Sequence, residues 1–274
     1  MKKIYIYRND YPSSEEIAKE LKERFDAISI EAELILLNGE MPSSSKEDSI
    51  HIVVGGDGTF LQVVRDTNFS DVPIIGVNTG HLGFFQEVTM HELPELVHFL
   101  KKGDYTIEPL RLLDAKVERS DGSEESFLCV NEILVKGVNS KVIHLDVLIE
   151  DVFLEKFSGD GLIVSTSIGS TAYNFSVGGA VVHPHLETIQ ISPLAPISSA
   201  SYRSLLNPIV MPGNMKVRIV PETTYEKNIF VVQDGKEHEI KNISAVHVSL
   251  SDKHIQRIHI RKDMYWKNLR DKFI

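Results

Sequence analysis

The chain is poor in cysteine, with Cys129 alone among 274 residues. An intramolecular disulfide is therefore excluded, which suits a reducing compartment. Cys129 lies between Leu128 and Val130 in an apolar stretch and reads as an inert core thiol rather than a nucleophile. No apolar run approaches the ~20 residues that span a bilayer. The opening residues, Met1 to Arg8, lack the apolar core of a signal peptide and read as a first strand, so a cytoplasmic protein without a membrane partner is expected. The balance of charge is acidic, at −10, which argues against a nucleic-acid scaffold. It leaves phosphorylated ligands open, because backbone amides and metal ions bind phosphate without net positive charge. Two nucleotide signatures are also missing. No G-x-x-x-x-G-K-[ST] occurs, and Gly55, Gly56 and Gly58 do not satisfy G-x-G-x-x-G, so neither a P-loop nor the ordinary dinucleotide fingerprint is present. The eleven histidines show no H-E-x-x-H spacing, and His51, His81, His183 and His185 read as structural or exposed rather than zinc-binding.

What is present is an alternation of strand and helix up to about Gly103. Strands are predicted at Lys2–Tyr7, Glu33–Leu37, Ile50–Val54 and Pro73–Val77. Between them, Ile17, Leu21 and Phe25 recur at helical spacing, as do Phe60, Val63 and Val64. Leu93, Leu96, Val97 and Leu100 mark a further helix over Glu92–Lys102. Asn38 to Ser49 reads as a serine-rich polar loop and a candidate for mobility. This βαβ rhythm predicts a Rossmann-like parallel sheet covered by helices. From Tyr105 to Leu250 the pattern changes to short strand-like segments, among them Asp114–Glu118, Val142–Glu150, Gly161–Ser165, Lys216–Val220, Ile229–Val232 and Ala245–Leu250. They are punctuated by Asp121-Gly122, Pro212-Gly213 and Asp234-Gly235, which predicts a β-rich domain, sandwich or barrel. Expected boundaries are 1–104 for the α/β domain, 105–254 for the β-rich domain and 255–274 for a terminal segment that packs back on the first. That last segment is read as a short helix anchored by Tyr265, Trp266 and Leu269.

The strongest local feature is Val53-Val54-Gly55-Gly56-Asp57-Gly58-Thr59-Phe60, where a strand ends and a helix begins. Ligands of open α/β sheets bind at such strand ends. Glycines let the backbone approach an anion, and the helix start offers free amides. A carboxylate there would repel phosphate, so Asp57 makes chemical sense as a general base or as a ligand of Mg²⁺ bridging to phosphate. The plainer reading is a tight turn with Asp57 as helix N-cap. A second block, Gly76–Phe85, belongs at the same sheet edge. Its Phe84 and Phe85 either stack on a base or belong partly to the core. A third, Gly159–Asn174, is dense in hydroxyls and small residues suited to riboses and a base edge. Asn131-Glu132 lies between the second and the third.

These blocks, in this order and followed by Gly178–Pro184, resemble the bacterial NAD kinases over about residues 50–235. The Gly55–Thr59 turn by itself is shared more widely, with phosphofructokinases and diacylglycerol kinases. The resemblance implies an N-terminal α/β domain, a β-sandwich C-terminal domain and a ligand cleft between them. It implies transfer of the terminal phosphoryl group of ATP, or of inorganic polyphosphate, to the adenosine 2′-hydroxyl of NAD, with Mg²⁺ as the divalent cation. By the same resemblance Asp57 is the proton acceptor; should it prove dispensable, Glu132 and Asp160 are the next candidates. Gly55, Gly56 and Thr59 form the donor-phosphate loop. Gly58, Phe84, Asn131, Glu132, Ser158, Asp160, Thr171, Ala172, Tyr173, Asn174, Phe175, Ser176 and Ala195 contact the dinucleotide. A homo-oligomer, tetramer or dimer, is implied too. Metal ligands are not assigned. Four positions depart from the family pattern: Ser158 where a basic residue is common, Ser167 for proline, Ile168 for a small polar residue, and Lys236 for glutamine. Two rivals use the same motifs, a non-catalytic NADP sensor and a kinase for a lipid or sugar alcohol. The carboxylate of Asp57 argues against the first, and the lack of a basic amphipathic helix against a lipid surface.

Overall fold

The computed structural model describes residues 2–38, 48–80, 83–198, 203–222, 228–261 and 264–274. Most of the expected polar loop, at 39–47, and His81 lie outside the described residues. The chain divides into two units, Met1–Leu110 with His254–Ile274, and Arg111–Lys253. The division falls within two long strands, Thr106–Arg119 and Ile243–His259.

The first unit is built on a parallel sheet. Lys3–Arg8 pairs on one side with Ala32–Leu36 and on the other with Ser49–Val54, which in turn pairs with Ile74–Asn78. Gln86–Thr89 adds to Ile74–Asn78, also in parallel. Every residue of Ser49–Val54 and of Ile74–Asn78 is buried, as expected for central strands covered on both faces. The helix Pro12–Asp26 turns Ile17, Ala18, Leu21 and Phe25 inward. Leu93–Lys102 does the same with Leu93, Leu96, Val97 and Leu100, and ends on Gly103 in the left-handed conformation. A capping box formed by Thr89 and Glu92 precedes it. His51 sits in this core with its ring edge-on to Tyr5 and Tyr7, and burial pushes its pKa down to about 4.

The second unit contains two antiparallel sheets. One runs Ile209–Pro212, Thr188–Leu194, Gly161–Thr166, Glu132–Gly137, Asn228–Gln233 and Lys236–Lys241 in spatial order. The other contains the hairpin Ile143–Ile149 with Val152–Gly159, then Val217–Pro221 beside Ile243–His259. A large apolar core, including Leu113, Phe127, Cys129, Val135, Leu145, Phe157, Val164, Ile191, Ile219 and Val246, lies in this unit, with a smaller cluster of Leu134, Ile163 and Val232. Cys129 is fully buried in it. The fold class is therefore the one expected, an α/β unit with a parallel sheet and a β-sandwich-like unit.

One expectation fails at the C-terminal helix, Met264–Phe273. Trp266 is exposed, while Asn268 is buried. Tyr265, with Asn268 and Leu269 three and four residues on, are among the partly or fully buried positions, and Trp266 falls off that stripe.

Candidate functional site

In the first unit the site begins at the end of strand Ser49–Val54. The Gly55 amide donates to the Val77 carbonyl at 2.9 Å, which ties the glycine turn to the neighbouring strand. A Cβ on Gly55 would lie 2.5 Å from Thr59 Oγ1, so the turn closes this tightly only with glycine. The Thr59 hydroxyl in turn accepts from Asn9 Nδ2 at 3.2 Å.

Gly56, not Asp57, is the N-cap residue of helix Asp57–Asp66, and no side chain caps that helix. The N-cap reading of Asp57 is thus overturned. Its carboxylate instead reaches across to the second glycine block. The Phe84 amide donates to Oδ1 at 3.0 Å and to Oδ2 at 3.1 Å, and the Phe85 amide to Oδ1 at 3.1 Å. Gly83 makes this possible, because a Cβ there would overlap Asp57 Oδ1 and Gln86 Oε1. Gly76 serves the same approach, since its Cβ would meet the Phe85 carbonyl oxygen at 2.7 Å. The Asp57 side chain retains 28% of its exposure and pairs with Lys272 Nζ at 3.3 Å.

The two phenylalanines separate. Phe85 stacks on Phe60 with centroids 4.6 Å apart and both rings buried, so it belongs to the core. Phe84 is 9% exposed and lies against Tyr265 and Phe273 of the C-terminal helix. Sequence reasoning missed the support behind them. Arg257 Nη2 donates to the Phe84 carbonyl at 2.7 Å and to Glu87 Oε1 at 2.9 Å. Glu87 also pairs with His259 Nδ1 at 2.8 Å, and His259 Nε2 with Glu108 at 2.6 Å. Burial acts to lower the His259 pKa, but the hydrogen bonds to Glu108 and Glu87 outweigh it and the net shift is upward.

In the second unit a cavity of about 460 Å³ is lined by Glu132, Asp160 and Tyr173 with Lys136, Lys141 and Glu237 among its other walls. Three expected residues thus meet in one place. Glu132 is anchored by its backbone: the amides of Val130, Asn131 and Glu132 donate to the Asp234 carboxylate at 2.8, 2.8 and 3.2 Å. Its own carboxyl is buried, with Oε2 lacking a hydrogen-bond partner among the described residues. Burial, reinforced by the Asp234 charge, pushes its pKa up to about 8 against a hydrogen bond from the Tyr173 backbone. At neutral pH it is a neutral acid, able to donate one hydrogen bond as well as accept.

The remaining expected residues divide by exposure. Tyr173, Phe175, Ser176 and Asp160 are exposed, and Ala172 is partly so. Asn131 and Thr171 are nearly buried. Ser158 and Asn174 are fully buried. The Ser158 hydroxyl meets His144 Nδ1 at 2.8 Å, and Asn174 Oδ1 accepts from Ser192 at 2.5 Å. Gly169 packs directly on the Asn131 backbone, where a Cβ has no room. Ala195 holds a positive φ of 45° beside Gly159.

A glycine turn presenting a partly exposed carboxylate at a strand end, together with a β-sandwich unit whose pocket is lined by acids and lysines, marks a two-domain phosphotransferase. Residues 12–105 match the family model of the ATP-NAD kinase N-terminal domain, and residues 130–260 that of the ATP-NAD kinase C-terminal domain. An NAD kinase of Finegoldia magna is 38% identical over 276 residues, covering 99% of this chain and 97% of that protein. One from Pediococcus pentosaceus is 32% identical with the same coverage. The fold is also that of a yeast NADH kinase solved with NADH, at a TM-score of 0.84 and 20% identity over 98% of this chain and 86% of the other. An Archaeoglobus fulgidus NAD kinase solved with ATP gives 0.74 and 24% over 98% and 99%. The chain belongs to the NAD kinase family. The reaction of that family converts ATP and NAD to ADP and NADP.

Proposed function

We propose that the chain phosphorylates the adenosine 2′-hydroxyl of NAD and that Asp57 accepts the hydroxyl proton. The observation that carries this is the seating of Asp57. Its carboxylate is oriented by the Phe84 and Phe85 amides yet remains partly open to solvent. A carboxylate used only as a staple has no need of that opening. Phosphoryl transfer depends on in-line positioning and charge neutralisation more than on covalent chemistry, and the roles divide accordingly. The amides of Gly56 and Thr59 receive the donor phosphates, Gly55 shapes that loop through its bond to Val77, and Gly58 meets the dinucleotide. Glu132 and Asp160 meet ribose hydroxyls, the neutral Glu132 both donating and accepting. Asn131, Thr171, Ala172, Tyr173, Phe175, Ser176 and Ala195 complete the dinucleotide contacts, with Phe84 against the base. Ser158 and Asn174 act from beneath, holding the strand and turn that carry the others.

Among the described residues no group of three or more histidine, cysteine, aspartate or glutamate side chains is arranged to hold a metal. Asp57, the acid of the glycine turn, already has three amide contacts and a lysine. Magnesium therefore fits as part of the substrate, MgATP, coordinated mainly by phosphate oxygens and water. Polyphosphate is the alternative donor, since a loop that reads phosphate through amides makes no demand on the adenosine of ATP. A homo-oligomer in the cytoplasm completes the proposal.

The test is NADP formation by the purified protein, with ATP and with polyphosphate separately, before and after chelation. NADP is expected with ATP and Mg²⁺ and not after chelation. Phosphorylation of another alcohol with no NADP formed would overturn the substrate assignment.

A further inference from the structure

The Asp57 carboxylate faces a difficulty that the glycine blocks do not resolve. A polyanionic donor must approach it, yet Val53–Phe60 and Gly76–Phe85 contain neither lysine nor arginine. The cation that stands beside Asp57 comes from the other end of the chain. Lys272, in the last turn of helix Met264–Phe273, places Nζ 3.3 Å from Asp57 Oδ2. The same ammonium lies 4.8 Å from the centre of the Phe84 ring. Phe273 and Tyr265 hold the helix in place, with ring centroids 5.7 and 6.4 Å from that of Phe84, and Asn268 of the same helix is buried. The anchors of the helix are thus aromatic and independent of the ion pair. Lys272 itself keeps 34% of its exposure, so its flexible stem can turn from the carboxylate to a ligand while the helix stays fixed.

We propose that Lys272 is the cation that meets the transferred phosphoryl group, and that it remains on the 2′-phosphate of NADP. The proposal rests on the reading that Asp57 faces the 2′-hydroxyl. Before the donor arrives, Lys272 neutralises the carboxylate that would repel it. During transfer a bond forms between the 2′-oxygen and the terminal phosphorus. The bond from that phosphorus to the bridging oxygen of ADP breaks, and the hydroxyl proton passes to Asp57. The ammonium keeps its own protons throughout and donates a hydrogen bond to a non-bridging oxygen of the moving group, where charge is spread in the transition state. In the product it offsets the repulsion between Asp57 and the new phosphate. This gives the enzyme a means to distinguish NADP from NAD by one phosphate.

The experiment uses the full-length protein and two variants, Lys272→Met and Lys272→Arg. Calorimetry measures the affinities for NADP and for NAD, and steady-state assays give turnover. Removing one charge-assisted hydrogen bond to phosphate is expected to weaken NADP about tenfold. NAD, which lacks the 2′-phosphate, should change less than about twofold, and turnover should fall about 10- to 100-fold. Lys272→Arg, which keeps the charge, should restore most of the NADP-to-NAD ratio. A ratio unchanged in Lys272→Met overturns the proposal. So does an equal loss for both nucleotides that Lys272→Arg fails to reverse, because a helix that is only a support predicts that result. The Asp57→Asn variant separates this idea from the one it rests on. Wild-type turnover in that variant removes Asp57 as base, while the affinity ratio in Lys272→Met still decides the place of Lys272.

Discussion

Replacing Asp57 with asparagine removes a charge and one acceptor oxygen while leaving the size of the side chain almost unchanged. With its single oxygen in the place of Oδ1, asparagine keeps the contacts from Phe84 at 3.0 Å and Phe85 at 3.1 Å and loses those made by Oδ2, to Phe84 and to Lys272. Hydrogen bonds to a charged acceptor contribute about 1.5–3 kcal/mol against about 0.5–1.5 for neutral ones. The ion pair with Lys272, partly solvated on both sides, adds at most about 1 kcal/mol. Because water can reach the site, the total loss of stability should be about 1–2 kcal/mol, which lowers the melting temperature by a few degrees and leaves the protein folded. Turnover should suffer far more. Loss of a positioned general base costs ~10²–10⁴ in rate. NADP should bind at least as tightly as before, because the negative charge beside its 2′-phosphate is gone. The assay is ATP-dependent NADP formation at saturating substrate, with a thermal melt on the same preparation. Turnover within about threefold of wild type, at either stability, would refute the argument and move the search for the base to Glu132 and Asp160.

Gly83→Ala should fold, since the atoms nearest its Cβ belong to the Asp57 carboxylate and the end of the Gln86 side chain rather than to backbone, but it displaces the carboxylate. A turnover loss of about tenfold or more with NAD affinity held near wild type is expected, and unchanged turnover would show that the seat of Asp57 does not matter. Glu132 is protonated in the folded protein up to about pH 8, whereas an unfolded carboxyl ionises near about 4.3. The folded state holds the extra proton between those values, so wild-type stability falls as pH rises across that window. Glu132→Gln has no such proton to lose, and its melting temperature relative to wild type should climb from acid to alkaline pH; parallel curves would contradict the burial argument. Arg257→Met leaves Glu87 buried with only His259 as a partner and should cost about 3 kcal/mol or more. Adding Glu87→Gln should recover part of that in a denaturant melt, and no recovery would mean that the charge of Glu87 is not the cause.

The parallel sheet and the Gly55–Thr59 turn were legible because their signals are local: apolar strands, helical spacing, and glycine where the backbone must turn. Boundaries agreed within a few residues at Lys3–Arg8, Asp57–Asp66 and Leu93–Lys102. The strand Gln86–Thr89 escaped notice because it is short and carries polar Gln86 and Glu87, both buried. Glu87 is buried only because Arg257 and His259, some 170 residues later, meet it. The long strands Thr106–Arg119 and Ile243–His259 were seen only in part, as Asp114–Glu118 and Ala245–Leu250, since their ends carry charged residues. The reach of Asp57 to Phe84 and Phe85, and of Lys272 to Asp57, depends on packing between segments far apart in sequence, which no window of residues encodes. The motif pointed to Asp57; its seat is a tertiary property.

The turn at Asp234-Gly235 shows the same division. In the sequence it is a turn signal. In the structure the Asp234 carboxylate gathers the amides of Val130, Asn131 and Glu132, as Asp57 gathers those of Phe84 and Phe85. Both units thus fix a functional loop with an aspartate that accepts several backbone donors, which holds a loop of glycines or small residues where its own side chains cannot. The two aspartates differ in exposure. Asp234 is buried at 9%, so its charge acts at short range through protein and helps raise the Glu132 pKa. The side chain of Asp57 stays open at 28% and keeps Lys272 within reach. A carboxylate buried and saturated by amides is a fixed charge that tunes its neighbour, whereas one seated by amides and left open can still exchange a proton with a ligand. That contrast, rather than the glycine motif alone, is the physical reason for proposing Asp57 as the proton acceptor and Asp234 as a positioning residue.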